Sequence, residues 1–226
     1  MDEVRIIEIK QNVFKANQIN ADGIRKELKD HGSFLINLMS SPGAGKTTTL
    51  TKLINTLKEK LKIVILEADI DSDVDAKKIS KETGVEAIQL HTGGMCHLDA
   101  AMTKQGLDEI RTEKPDLIIL ENVGNLVCPA EFDTGAHISF NILSVPEGDD
   151  KPLKYPLMFE VCDVVIINKI DVMPYFDFNL EKCKENILFR NKKATIIPIC
   201  AKTGEGIDNV ANYILELLRN FKGKEE

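Results

Sequence analysis

Phe34-Leu35-Ile36-Asn37-Leu38-Met39-Ser40-Ser41-Pro42-Gly43-Ala44-Gly45-Lys46-Thr47 decides the fold. A continuous apolar run, as in a strand covered on both faces, breaks into a glycine-containing turn and then into a helical pattern over 48–60. Gly43, Ala44 and Gly45 let successive backbone amides turn towards phosphate oxygens, and Lys46 supplies positive charge. The Thr47 hydroxyl suits Mg²⁺, and Thr48 stands next to it at the start of the helix, whose positive dipole end faces the phosphates. Ser40 occupies the place where the usual pattern has glycine. With a strand before it and a helix after it, the segment reads as a phosphate-binding loop.

Outward from this loop, apolar runs alternate with amphipathic stretches. Ile63-Val64-Ile65-Leu66, Ala87-Ile88-Gln89-Leu90, Leu117-Ile118-Ile119-Leu120, residues 138–145, Val164-Val165-Ile166-Ile167 and Ile196-Ile197-Pro198-Ile199 read as further strands. Helical patterns fill most intervals, notably 98–113 and 206–221. This alternation predicts an α/β fold with a doubly wound, mainly parallel sheet and sites at the carboxyl ends of its strands. A helix is expected around Phe14, Ile19, Ile24 and Leu28, after a short isoleucine-rich piece. The expected organisation is an N-terminal helical extension over 1–31 and one nucleotide-binding domain over 32–226.

Composition agrees with this. Of 226 residues, 43% are hydrophobic and 29% charged, which fits a globular chain and not a disordered one. The net charge of −7 argues against a nucleic-acid or anionic-membrane partner. No apolar run reaches the roughly 18 residues of a membrane helix, and the first residues do not form a signal peptide. Five scattered cysteines suit a reducing cytoplasm better than a disulfide framework. Cys162, Cys183 and Cys200 read as packing residues, and His31, His91 and His137 receive no functional role.

Asn168-Lys169-Ile170-Asp171 follows the sixth strand. Asp171 can accept two hydrogen bonds from guanine N1 and N2, a selective, charge-assisted contact that adenine does not offer. Lys169 can lay its aliphatic stem over the base, with Asn168 bracing the loop. After the last strand, Ala201 can offer its amide to guanine O6, with Lys202 beside it. Together these features favour GTP over ATP.

Between the two lie the terminal-phosphate groups. Glu121 can hold Mg²⁺ directly or through water, and the Gly124 amide can reach the γ-phosphate. Asp69, Asp71, Asp73 and Asp75 crowd the loop after the second strand, as for a switch segment with a nearby cation or for a solvated helix start. Asn125 follows Gly124, so no glutamine orients water there, and none of the five arginines adjoins a nucleotide motif. Unaided hydrolysis is therefore expected to be slow, by as much as roughly 10³- to 10⁵-fold. Lys154 is the candidate for a charge supplied across a dimer, its alternative being an exposed loop lysine.

Cys96-His97 and Cys128-Pro129 both follow strands on the nucleotide side. Thiolate and imidazole suit Zn²⁺ or Ni²⁺. Spacing alone leaves open a metal site or two apolar packing cysteines with a loop histidine, and adjacent Cys96 and His97 are not expected to face one ion readily. Three ligands underfill a tetrahedral shell, which a second chain would complete.

Six segments together resemble the HypB family, GTPases that assist nickel delivery to [NiFe]-hydrogenase. They are the loop at 40–47, Glu67-Ala68-Asp69, Gly-Gly-Met-Cys-His-Leu at 93–98, Glu-Asn-Val-Gly-Asn-Leu-Val-Cys-Pro at 121–129, Gly-Asp-Asp-Lys-Pro-Leu-Lys-Tyr-Pro at 148–156 and Asn-Lys-Ile-Asp at 168–171. The resemblance covers about residues 33–220. It implies a P-loop GTPase that dimerises with GTP, with Mg²⁺ handled by Thr47 and by Asp75, Asp69 or Glu121. It also implies catalytic roles for Lys46, Asp69, Glu121 and Lys154, and Ni²⁺ or Zn²⁺ held by Cys96, His97 and Cys128 near the dimer interface. The implied partners are the hydrogenase large subunit and companion maturation proteins. Met1 to Lys10 carries neither the cysteine-rich nor the histidine-rich stretch of many members, so a separate N-terminal nickel site is not expected. The alternatives are a urease-type or cobalamin-enzyme accessory GTPase, whose metal motif would be absent or a contiguous Cys-Pro-His, and a metal-free GTPase switch.

Overall fold

The computed structural model describes residues 9–70 and 72–223. The isoleucine-rich start, most of the segment without a nickel motif, and Asp71 lie outside the described residues. In chain order the elements are α1 (Ile9–His31), β1 (Phe34–Ser40), α2 (Lys46–Leu57), β2 (Ile63–Asp69), α3 (Val74–Thr83), β3 (Glu86–His91), α4 (Ala100–Asp108) and β4 (Leu117–Glu121). There follow α5 (Cys128–Glu131), β5 (Ile138–Ser144), α6 (Lys151–Lys154), α7 (Pro156–Val161), β6 (Val164–Asn168), α8 (Leu180–Arg190), β7 (Thr195–Pro198) and α9 (Ile207–Lys222).

The seven strands form one sheet in the order β3-β2-β4-β1-β5-β6-β7, every neighbouring pair parallel. The sheet is thus wholly parallel rather than mainly so. Its two faces divide the apolar residues of each strand. Ile36 and Leu38 of β1 pack with Leu50, Ile54 and Leu57 of α2, Ile79 of α3 and Ile214 of α9. Leu35 and Met39 point to the other face, beneath α1 and α4 and beneath α7 and α8 respectively. Burial on both faces is why these strands are continuously hydrophobic. Parallel pairing also brings the carboxyl ends of all seven strands to one edge, which is where the polar motifs begin.

Two local expectations are corrected. The buried stripe of α1 is Asn17, Ala21, Ile24 and Leu28, spaced as one helical face, so Ile19 lies off it and is 67% exposed. Helix α4 is shorter than the 98–113 pattern. Asp99 caps its start by accepting from the Met102 amide at 2.8 Å, and the carboxylate of Glu86 takes the Arg111 and Thr112 amides at 2.9 and 2.8 Å, drawing the chain away.

Helix α1 is anchored by polar bonds as well as packing. Asn17 donates from Nδ2 to the Asp133 carbonyl at 2.8 Å and accepts the Ala100 amide at 2.9 Å. Arg25 donates to both carboxylate oxygens of Asp133 and to the Ala136 carbonyl. Ile24→Ala is expected to cost about 2–5 kcal/mol in urea unfolding, as for a truncated core residue. Ile19→Ala should stay within about 0.5 kcal/mol, and an equal cost at both positions would refute this docking of α1.

Candidate nucleotide and metal sites

The phosphate loop is held open from beneath. Gly43 and Gly45 take φ of +75° and +100°, and a Cβ on Gly45 would come within 2.4 Å of Asn168 Nδ2. Lys46 Nζ donates to Ser40 Oγ at 3.0 Å, so the serine that replaces the usual glycine fixes the lysine at the loop mouth. Glu147 takes the Ser144 amide and hydroxyl, each at 2.8 Å, and through its other oxygen the Ser41 hydroxyl, tying the loop to the end of β5.

Asn168 is the hub between the phosphate and base loops. Buried at the end of β6, it donates from Nδ2 to the Ala44 carbonyl at 2.9 Å. Its Oδ1 accepts the Lys169 amide at 2.8 Å and the Ala201 amide at 3.0 Å. The Ala201 amide, expected to face guanine O6, is taken by Asn168 in this structure, as a buried N–H takes the nearest acceptor. Lys169 Nζ crosses to the Gly43 carbonyl at 2.7 Å, so its stem bridges the two loops. A cavity of 230 Å³ lies between them, lined by Gly45, Thr48, Asn168, Lys169, Asp171, Ala201 and Lys202 among others. The base-site residues are therefore together, with Asp171 exposed at the rim.

A larger cavity of 480 Å³ adjoins it. Gly43, Gly45, Lys46, Thr47 and Thr48 form one wall, and Asp69, Asp75, Glu121 and Gly124 contribute to the others. Asp73, by contrast, pairs with Lys77 outside this lining. Lys154 is also outside it: 61% exposed, it pairs with Asp150 at 2.6 Å on α6.

Sequence reasoning gave Glu67 no role of its own. It stands opposite Glu121 in the β2–β4 register, 4% exposed against 2% for Glu121, and both line the cavity. An acid closing an otherwise apolar strand, as Glu121 does, was the available signal. Burial lifts the carboxyl pKa values from 4.5 to about 7 for Glu67 and about 8 for Glu121, with Lys46 opposing the shift in each. One oxygen of each carboxyl has no hydrogen-bond partner among the described residues. Two adjacent buried acids with unmatched oxygens, lining the same cavity as Thr47, fit a divalent cation such as Mg²⁺.

Cys96, His97 and Cys128 converge as well, their ligand atoms all within 4.8 Å of one another. Adjacent Cys96 and His97 do face one point, with Cys96 Sγ and His97 Nδ1 4.0 Å apart. Cys128 opens α5, which follows the Gly124 loop directly. The neighbouring Cys128 thiol and burial raise the Cys96 pKa, and burial lowers that of His97. The imidazole is thus a neutral ligand near pH 7, and a thiophilic ion would displace thiol protons. Asn125, whose Oδ1 accepts the Val127 amide at 2.8 Å, reaches the Cys96 carbonyl with Nδ2 at 3.5 Å. It joins the loop beside the phosphate cavity to the thiol cluster, and spacing alone gave no sign of this. Cys162, Cys183 and Cys200 are buried packing residues, as expected. Among the described residues no helix is long and apolar enough to cross a membrane.

The chain matches the family model for the CobW/HypB/UreG nucleotide-binding domain over residues 34–198. It is 42% identical over 208 residues to the hydrogenase maturation factor HypB of Rhizobium leguminosarum, covering 92% of this chain and 69% of that one. The crystal structure of HypB from Helicobacter pylori in complex with nickel superposes with a TM-score of 0.86 at 39% identity, covering 91% of this chain and 96% of that chain. The Archaeoglobus fulgidus HypB structure does so with a TM-score of 0.84 at 33% identity, covering 90% and 99%.

The buried acids predict a pH dependence. Their folded-state pKa values lie above the ordinary 4.5, so their stabilising contribution is complete below pH 4.5 and is lost as pH rises through about 7 to 8. His137 acts oppositely: its pKa, lowered from 6.5 to about 4, gives stability that is lost only as pH falls from 6.5 towards 4. Thermal melts without nucleotide or divalent ions should show Tm falling as pH rises from about 6.5, where His137 no longer opposes the acids, to about 8, with a flatter profile in Glu121→Gln. A wild-type profile already flat over that window would refute the acid pair.

Proposed function

The chain belongs to the HypB family of the CobW/HypB/UreG nucleotide-binding proteins, and from that premise we propose that it binds and hydrolyses GTP to control nickel transfer during [NiFe]-hydrogenase maturation. The observation that carries this reading is the join between the two sites. Gly124 lines the phosphate cavity, Asn125 bonds the Cys96 carbonyl, and Cys128 follows within the same loop. A loop that responds to the terminal phosphate therefore also sets the spacing of the sulfur ligands.

In this reading the backbone amides of 43–47 cradle the phosphates and Lys46 neutralises their charge, while Asp171 selects guanine at the rim of the smaller cavity. Thr47, with Glu121 and Asp75 or Asp69, would hold Mg²⁺, which supplies charge neutralisation on the β- and γ-phosphates. Asn125 is committed to Cys96 and Val127, so water orientation and transition-state charge are left to other groups and turnover is slow. Lys154, on the surface and held by Asp150, is assigned to the partner's nucleotide in a GTP-dependent homodimer. Cys96, His97 and Cys128 hold Ni²⁺ as cargo, with Zn²⁺ the competing ion for the same donors. The hydrogenase large subunit and companion maturation proteins are its proposed partners, and the cytoplasm its location, consistent with five unpaired cysteines.

Equilibrium nickel titration of wild type, Cys96→Ala and Cys128→Ala tests the metal half: each variant should lose at least about tenfold in affinity. Equal uptake by all three proteins would end it. For the base site, Asp171→Asn should weaken GTP by about 2–5 kcal/mol, and xanthosine triphosphate, which offers an acceptor where guanine has a donor, should regain affinity. Unchanged GTP affinity would displace the guanine pocket from this cavity.

A further inference from the structure

The imidazole of His97 is fixed by a ring that belongs to no nucleotide or metal motif. Phe132 stacks on it with centroids 4.0 Å apart and planes inclined by 14°. Near-parallel stacking at this distance restricts rotation of the imidazole about its side-chain torsions and so sets where Nδ1 points. Nδ1 points towards the Cys96 sulfur, 4.0 Å away. Phe132 directly follows α5, so one short helix carries a sulfur ligand at its start and the ring that orients the nitrogen ligand at its end.

Phe132 is in turn held by α1. Phe14 packs against it at 5.3 Å, and the next residue, Asp133, is gripped through its carboxylate by Arg25 and through its carbonyl by Asn17. Asn17 also takes the Ala100 amide, three residues beyond His97. Both segments that flank the thiol–imidazole cluster therefore rest on the same helix.

We propose that Phe132 is a positioning residue for the metal centre, orienting His97 for coordination, and that α1 is the clamp that keeps Phe132 in place. The inference rests on the metal-site reading above. It gives the N-terminal helix, which makes no part of either nucleotide cavity, a role in metal affinity.

Nickel affinity and the sulfur-to-nickel charge-transfer spectrum are measured on the full chain by competition with a chromophoric chelator. The proteins compared are wild type, Phe132→Ala, Phe132→Tyr, Phe14→Ala, His97→Ala and the double variant Phe132→Ala/His97→Ala. Phe132→Ala should weaken nickel by roughly 10- to 100-fold and shift the spectrum towards that of His97→Ala, while Phe132→Tyr restores both and GDP affinity stays at the wild-type value. The double variant should bind no more weakly than His97→Ala alone, because a residue that acts through the imidazole has nothing to add once it is gone. Phe14→Ala should give a smaller loss of the same spectral kind, and it decides the matter if Phe132→Ala does not fold. Unchanged affinity and spectrum in both Phe132→Ala and Phe14→Ala would overturn the proposal, as would a Phe132→Ala loss that persists in full without His97. Failure of the wild type to take up nickel would instead remove the metal site itself, and this inference with it.

Discussion

The side chain of Asn168 is the constraint on which the nucleotide half of the molecule depends. One buried amide donates to the phosphate loop at Ala44 and accepts from the base loop at Lys169 and from the last strand's loop at Ala201. All of its bonds are made inside the protein, so losing one would leave a buried polar group unmatched, at about 1–3 kcal/mol each. Gly45 is glycine for the same reason, since its Cβ would occupy the space of that amide. The loop that receives phosphates and the loop that selects the base are thus one mechanical unit. Lys169 reinforces it by spanning to Gly43.

The other half of the site is electrostatic. Two acids face each other at the ends of β2 and β4 with Lys46 as the cation acting on both. Burial strips each carboxylate of water, which pushes both carboxyls into the neutral range, and the charges of Asp69 and Asp75, with that of Glu67 on Glu121, add to the shift. The same edge carries the sulfur ligands, separated from the acids by a few residues of the Gly124 loop. Parallel pairing of the sheet makes this adjacency unavoidable, because every strand delivers its last residue to that edge.

Much of this was legible in the sequence. Apolar runs located all seven strands, most of them continuous because strands buried on both faces leave no polar face to blur the signal; β3, at the sheet edge and interrupted by Gln89, is the weakest of them. The phosphate and base motifs were legible because each follows a strand and uses residue types with one evident purpose. Other features depend on partners distant in sequence. The end of α4 is set by Glu86, the face of α1 by residues near 100 and 133, and the Ala201 amide by Asn168. The joint orientation of Cys96 and His97 depends on backbone geometry that spacing does not encode, and Phe132 had no local mark at all. Glu67 was visible as an acid at a strand end, but only strand pairing reveals Glu121 as its neighbour.

The anchoring of α1 also has a consequence for biosynthesis. Its Asn17 bonds a residue 116 positions further along the chain, and its Arg25 one 108 further along. At about 5–20 residues per second on the ribosome, the helix leaves the exit tunnel roughly six to twenty-odd seconds before its docking surface exists. Throughout that interval Ala21, Ile24 and Leu28 lack part of the cluster that covers them, so α1 is made well before it is fully seated.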